Sequence, residues 1–560
     1  MALDDVVHGG IIHNSSAELN RVGPRSAPGG RTHGVNDDDL HKAAFLPDLL
    51  VAALNRHPDR PAVYLGEQVL TGREVAAQMS CYAQAYAAQG LTKGSPVSIL
   101  SPNRPEVLFT LGANMVTGCR GSALHPLGSV DDHAYVIDDA EIETLVFDPS
   151  FAERAGQLQE RCPKLQRLLS LGPCEVGDDL LALAAKFSPH PLVAPNVQAE
   201  DIAGFAYTGG TTGKPKGVMG TYRSGATMTM IQMAEWEWPE DTRFLICTPL
   251  SHAGAAFFIP TLLTGGAIVV LPHFEPGLVL ETIEKYKITA TMIVPTMLYV
   301  LLDSPKLDQT DVSSLNTVYY GAAACSPTRL QEAIRRLGPI FFQYYGQAEC
   351  PMAITSLKKE DHDVDDLDRL ATCGRPTPWV KVRLLDDDLN EVKRGEPGEI
   401  CVQGPLVMAG YWKKPAETEE ALKGGWLHTG DIAREDEHGF YTIVDRKKDM
   451  IVSGGFNVFP REIEDVLALH PAVSQCAVIG VPDEKWGEAV KAIVVLRPDA
   501  TVERTELSSE LVALVKEHKG AHHQPKSIEF ADAIPLSPLG KPDKKALRAQ
   551  YWGSTERQVH

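Results

Sequence analysis

The ten cysteines form no C-x-x-C pair and no metal-ligand spacing; they are scattered along the 560 residues. That excludes the usual zinc and dithiol motifs and predicts free thiols in a reducing cytoplasm. Basic charge is also scarce. Lys and Arg number 53 against 73 Asp and Glu, a net charge of −20. This argues against a nucleic-acid partner, because phosphate backbones are held by clustered Lys and Arg. It does not argue against small anionic ligands, since a local cluster overrides the global sign. No signal-peptide pattern is found: Asp4 and Asp5 stand where its basic region would be. Internal repeats are absent too.

Charge is missing altogether from Leu245 to Phe274. That length could span a bilayer. However, Pro249, Pro260, Gly265, Gly266 and Pro272 would leave backbone groups unpaired in lipid. The stretch reads instead as a buried strand (Phe244–Cys247), a helix around Ala255–Leu263 and a second strand (Ala267–Leu271). No transmembrane span is expected, and peripheral membrane contact is left open.

What is present is an ordinary globular balance, 44% hydrophobic and 22% charged residues. The length suggests about three to four domain-sized units. Residues 1–40 are rich in Gly, Ser, Asn, Asp and His without apolar periodicity, and predict a disordered tail. From Leu46 onward, strand-like runs (Val97–Leu100, Thr144–Phe147, Ala267–Leu271, Thr291–Val294) alternate with helical patterns (Glu74–Gln89, Pro327–Leu337). That alternation predicts an α/β fold with largely parallel sheets flanked by helices.

Near 380–411 the pattern changes. Lys381–Leu385, Glu399–Gln403 and Tyr441–Val444 predict a small β-rich subdomain. After the charged run Asp445–Asp449, a fresh α/β pattern follows: helix Pro460–Ala468, strands Val473–Ile479 and Lys491–Leu496, helix Arg504–His518. The expected division is a large domain over 41–445, a hinge over 446–449 and a small mobile domain over 450–552.

The most informative segment is Tyr207-Thr208-Gly209-Gly210-Thr211-Thr212-Gly213-Lys214-Pro215-Lys216-Gly217. Its glycines let backbone N–H groups approach an anion. Thr208, Thr211 and Thr212 add hydroxyls; Lys214 and Lys216 add charge. These are the parts of a triphosphate cradle. The segment is not the common P-loop: the G-x-x-x-x-G-K-[ST] spacing fails, and Pro215 occupies the place of the Mg-binding hydroxyl.

This loop closely resembles that of the adenylate-forming enzymes, the superfamily of acyl-CoA synthetases, peptide-synthetase adenylation domains and beetle luciferases. Further segments match in the family's order over roughly residues 46–550. They are Pro249–Gly254, Gly321-Ala322-Ala323, Tyr344-Tyr345-Gly346-Gln347-Ala348-Glu349, Gly410–Trp412, Gly425–Asp431, Asp445–Asp449, Ser453–Pro460 and Pro538–Lys541.

The resemblance implies activation of a carboxylic acid by ATP to an acyl-adenylate, with transfer of the acyl group to coenzyme A. It implies that Glu349, with Thr208, holds Mg²⁺ at the phosphates. It places the adenine on Tyr345 and the ribose hydroxyls on Asp431, and gives Arg446 a contact to ribose and phosphate. His252 is implied at the junction of acid pocket and thiol tunnel. Gly454 and Gly455 are implied along the pantetheine path. Lys541 is implied as the mobile charge that stabilises the adenylation transition state, and Lys448 as the hinge position. Taken alone, Lys541 and Lys448 would pass for solvated lysines.

One departure is clear. Family members usually carry Thr before the metal-binding Glu, and here Ala348 stands there. As to the acid, Pro249–Phe257 contains no carboxylate to pair a substrate amine, which disfavours amino-acid activation. Gly254, Ala255, Ala256 and Ala322 to Ala324 leave room for an apolar acid, or else serve tight packing. A fatty acid is the default expectation. The alternatives are an aryl or polycyclic acid, or a carrier protein as acceptor, and a non-enzymatic nucleotide sensor is disfavoured by the joint presence of Glu349 and Lys541.

Overall fold

The computed structural model describes residues 42–208, 215–453, 456–483, 485–497, 500, 502–536 and 542–552. The expected tail, 1–40, lies outside them. From Ala44 onward the chain forms one compact unit.

Its largest sheet has nine strands. A parallel core runs Phe341–Gln347, Thr317–Gly321, Ala290–Ile293, Arg243–Ile246, Ala267–Val270 and Pro61–Leu65. Antiparallel strands close both edges. A seven-stranded sheet runs Asp178–Asp179, Arg167–Ser170, Thr144–Phe147, Pro96–Leu100, Arg120–Leu124, Ile202–Thr208 and Lys216–Thr221, with only the last pair antiparallel. Parallel strands are buried on both faces, and the sequence obeys this: every residue of Thr317–Gly321 and of Thr144–Phe147 is buried.

Local signals set the helices. Thr71 and Glu74 form a capping box at the start of helix Gly72–Ala88. Helix Pro327–Leu337 opens on a proline, carries Arg335 and Arg336 in its last turn, and stops at Gly338 with φ +90°. The largest core joins helices and both sheets through Leu50, Met79, Val97, Phe258 and Tyr319.

The uncharged stretch folds as strand Arg243–Ile246, a 3-10 turn Ala253–Phe257, helix Phe258–Leu263 and strand Ala267–Val270. The single helix expected over 255–263 is thus split. Gly254 explains the tight turn: a Cβ there would sit 2.7 Å from the Thr248 carbonyl oxygen. Among the described residues, no helix is long and apolar enough to cross a membrane.

The β-rich unit is a four-stranded antiparallel sheet of Lys381–Leu385, Gly398–Gln403, Leu427–Glu435 and Tyr441–Arg446. Strand Leu427–Glu435, unanticipated from sequence, carries Asp431. The last unit pairs Val473–Asp483 antiparallel with Gly487–Leu496, longer than the runs expected, and packs helices Pro460–Leu467, Arg504–Lys519 and Lys544–Trp552 around them.

Candidate active site

Strands Ile202–Thr208 and Lys216–Thr221, which flank the Gly/Thr/Lys loop in sequence, pair antiparallel as a hairpin. Thr208 pairs with Lys216 at its mouth; Gly209, Gly210, Thr211, Thr212, Gly213 and Lys214 lie outside the described residues. The loop's roots are tied down. Tyr207 Oη donates to Asp139 Oδ2 at 2.7 Å, and Tyr135 Oη donates to the Pro215 carbonyl at 3.0 Å. Trp412 N–H donates to Gly217 O at 2.8 Å, so the 409–412 segment is laced to the hairpin's second strand.

Tyr411 then bridges the hairpin to Glu349. The Lys216 ammonium lies 4.8 Å from the Tyr411 ring centre, and Tyr411 Oη donates to Glu349 Oε1 at 2.8 Å. Glu349 is buried. It occupies the two-residue link between strands Phe341–Gln347 and Cys350–Leu357, where Gln347 pairs with Cys350. Ala348 beside it packs into the apolar core under the small sheet.

Two glycines here admit no other residue. A Cβ on Gly346 would lie 2.3 Å from Met352 N, and one on Gly321 would lie 2.4 Å from Tyr344 O. Ala322 follows with φ +64°, a backbone conformation that costs a non-glycine residue about 1 kcal/mol or more. Ala322 and Ala323 thus leave the end of a parallel strand in a sharp turn. Tyr344 stacks on Trp236, ring centres 5.0 Å apart and planes 20° apart.

Tyr345 Oη donates to Asp431 Oδ2 at 2.6 Å, and Arg446 Nε meets Asp431 Oδ1 at 3.0 Å. Asp431 and Arg446 are direct cross-strand partners. Gln347 Nε2 donates to Thr429 O at 3.3 Å from the same side. Asp431 is the main reason Arg446 is held above its ordinary pKa, against the opposing effect of burial. Burial pushes the Tyr345 hydroxyl well up, and Asp431 pushes it further. Tyr345, Gln347, Asp431 and Arg446 therefore converge although they come from two sheets.

His252 bonds Ser251 Oγ through Nδ1 at 2.9 Å, and its ring meets the edge of His125 at 5.0 Å. Burial pushes His125 below its ordinary pKa. Asn103 fixes the backbone leading to His252, donating to Thr248 O at 2.9 Å and accepting from Leu250 N–H at 2.7 Å.

The charged run Asp445–Asp449 is not a solvated connector. Asp445 ends up buried, which pushes its carboxyl up to about 6. It accepts from Arg446 N–H at 2.7 Å and Arg461 N–H at 3.1 Å. Asp449 pairs with Arg548 at 2.8 Å, both largely buried. Lys448 is pushed down to about 8, first by burial and then by Arg446. Gly454, Gly455 and Lys541 lie outside the described residues.

Sequence reasoning missed Tyr411 as the partner of Glu349, and Asn103 and His125 near His252. Asn103 lies 145 residues from the carbonyl it holds, so no local spacing could have marked it. Tyr411 stood inside a matching segment, but its hydroxyl's target needed the fold.

The chain matches the AMP-binding enzyme family over residues 50–412 and the AMP-binding enzyme C-terminal domain over residues 462–541. It belongs to that family, and so to the adenylate-forming enzymes. Its relatives narrow the class. A medium/long-chain-fatty-acid–CoA ligase of Mycobacterium tuberculosis, FadD8, is 56% identical over 521 residues, 91% of each chain. A feruloyl-CoA synthase of an Amycolatopsis species is 34% identical over 88% of this chain and 96% of its own. Among solved structures, the amide bond synthetase McbA of Marinactinospora thermotolerans superposes with a TM-score of 0.82 at 36% identity, covering 90% of this chain and 99% of that one.

Proposed function

We propose that this adenylate-forming enzyme is an ATP-dependent ligase that joins medium- or long-chain fatty acids to coenzyme A. The observation that carries the reading is the convergence of Tyr345, Asp431 and Arg446 beside the buried Glu349 carboxylate. The 56% identity to a medium/long-chain-fatty-acid–CoA ligase supports the choice of acid and acceptor.

In the first half-reaction a carboxylate oxygen of the acid attacks the α-phosphorus of ATP. The bond to the bridging oxygen breaks and pyrophosphate leaves. Little covalent work falls to the protein, which positions the partners and supplies charge. Thr208, Lys216 and the residues between them cradle the phosphates. Tyr345 stacks the adenine, flanked by Gly321, Ala322, Ala323, Tyr344, Gly346 and Gln347. Asp431 accepts from the ribose hydroxyls, and Arg446 reaches ribose and phosphate.

Glu349, with Thr208, would hold Mg²⁺. The donors fit a hard cation, which takes one or two carboxylates together with phosphate oxygens, and Tyr411 orients the carboxylate by taking Oε1. When bound, the ion offsets phosphate charge. Lys541, brought in by the small domain, stabilises the charge developing between carboxylate and α-phosphate.

In the second half-reaction the CoA sulfur attacks the acyl carbon, the thiol proton departs and AMP leaves. Gly454 and Gly455 line the thiol's approach, and His252 stands between acid and thiol. The large domain is 41–445, the hinge 446–449 and the mobile domain 450–552. All ten cysteines are free, which supports a cytoplasmic setting.

The test measures pyrophosphate release and CoA-thioester formation across straight-chain and ring acids. Turnover should be fastest with medium or long straight chains. Faster turnover of ferulate-like acids would overturn the acid class; no pyrophosphate release with any acid would overturn the ligase reading.

A further inference from the structure

Strands Gly398–Gln403 and Leu427–Glu435 slip in register at the nucleotide side of the site. Glu399 faces Ile432, but Cys401 faces His428. Thr429, Gly430 and Asp431 therefore stand opposite Ile400 alone, as a bulge. A bulge re-aims a side chain and leaves backbone groups outside the ladder, and those groups need other partners when buried.

Each finds one. Gly430, at φ +71°, takes a conformation that suits glycine, and its N–H donates to Glu399 Oε1 at 2.9 Å. Thr429 Oγ1 donates to Ile400 O at 2.7 Å and accepts from Asp431 N–H at 3.1 Å. The other Glu399 oxygen meets His428 Nδ1 at 3.1 Å and the Lys447 ammonium at 3.5 Å. Lys447 N–H, in turn, donates to Gly430 O at 2.8 Å. Glu399 is thus a buried carboxylate fastened to both the bulge and the first residue beyond strand Tyr441–Arg446.

We propose that Glu399 is a positioning residue for nucleotide binding: it holds the Thr429–Asp431 bulge so that Asp431 presents its carboxylate to the ribose. The inference rests on the ribose role given to Asp431 above. Glu399, Cys401 and His428 also bring three metal-ligating atom types within 4.8 Å of one another. The Lys447 ammonium already supplies a positive charge to that carboxylate, which favours positioning over metal binding.

The test compares the full chain with Glu399→Ala, Glu399→Asp and Glu399→Gln. AMP affinity is read by calorimetry, and KM for ATP and for the acid by pyrophosphate exchange. Losing a charged acceptor under a buried N–H should weaken AMP binding by about tenfold or more in Glu399→Ala. KM for ATP should rise in parallel while KM for the acid stays put. Glu399→Gln keeps an oxygen for Gly430 N–H and should recover most of the affinity. Glu399→Asp keeps the charge but withdraws it by one methylene. It should also bind AMP less tightly, and it carries the test if the alanine variant does not fold.

Wild-type AMP affinity in a folded Ala or Asp variant overturns the proposal. So does a Gln variant no better than Ala, or an acid KM that rises in step with that for ATP. A wild-type chain that turns over acids while these variants bind AMP normally would sink this inference alone. A wild-type chain that binds no AMP would sink the ATP assignment itself, and this inference with it.

Discussion

Tyr345, on the nine-stranded sheet, donates its hydroxyl to Asp431, on the small antiparallel sheet, at 2.6 Å across 86 residues of sequence. One bond thereby joins the proposed adenine platform to the proposed ribose acceptor. Tyr345→Phe keeps the ring but removes a donor to a buried carboxylate. Hydrogen bonds to charged groups contribute about 1.5–3 kcal/mol, so KM for ATP should rise by about tenfold or more, with KM for the acid little changed. Pyrophosphate-exchange kinetics check this; an unchanged ATP KM would detach Tyr345 from the nucleotide site.

Lys541→Ala should abolish pyrophosphate exchange and spare the second half-reaction. In the proposed mechanism its charge is needed only while the α-phosphate is under attack. Supplied with preformed acyl-adenylate and CoA, the variant should form thioester near the wild-type rate. Normal pyrophosphate exchange in the variant would remove Lys541 from the chemistry.

Lys448→Pro should separate the half-reactions in the opposite sense. In the proposed mechanism two reactions share one site, so the small domain would have to swing, and the residues absorbing that swing would have to change backbone angles. Proline fixes φ. Acyl-adenylate formation should persist and CoA-dependent turnover of preformed adenylate should collapse. Because Asp445 and Asp449 flank Lys448 in largely buried bonds, the proposed rotation point is narrow, and Pro at 448 should act more strongly than at exposed positions nearby. Equal loss in both half-reactions would place the hinge elsewhere.

Ala348→Thr should tighten ATP binding without loss of activity. The added hydroxyl would regain a phosphate hydrogen bond of about 0.5–1.5 kcal/mol, a few-fold in KM. A sharp loss would mean that the apolar packing around Ala348 has no room for the larger side chain.

His362 should set an acid limit on stability. Its Nδ1–H donates to Lys358 O at 2.7 Å, so Nε2 accepts from Tyr320 Oη at 2.9 Å. Burial pushes its pKa down to about 4 from 6.5. The folded state then binds fewer protons than the unfolded state between those values. Stability is fully present above the unfolded pKa and is lost as pH falls through the window. The loss should reach about 2 kcal/mol between pH 7 and pH 5. His362→Gln, which can keep both bonds, should flatten the dependence of Tm on pH over that interval; an equally steep profile would assign the acid sensitivity to other groups.

Much of this protein was legible without a fold. The loop from Thr208 to Lys216, the order of the matching segments and the alternation of strands with helices are local patterns, and local patterns survive in one dimension. Strand ends were less legible. Gly487–Leu496 begins four residues before the expected start at Lys491 because its antiparallel partner, Val473–Asp483, supplies the bonds. What only the tertiary structure decided is which groups share a charge or a proton. Sequence could name Asp431 and Arg446 but not the cross-strand pairing that sets them face to face. It could mark Asp445–Asp449 as charged but could not show that Asp445 is buried and Asp449 ion-paired, because both depend on helices Pro460–Leu467 and Lys544–Trp552 arriving from elsewhere in the chain. It held no sign of Glu399, whose part follows from a bulge that exists only when two strands pair out of step. Residue type fixes what a group can do; distance and dielectric, which only the packed chain sets, fix what it does.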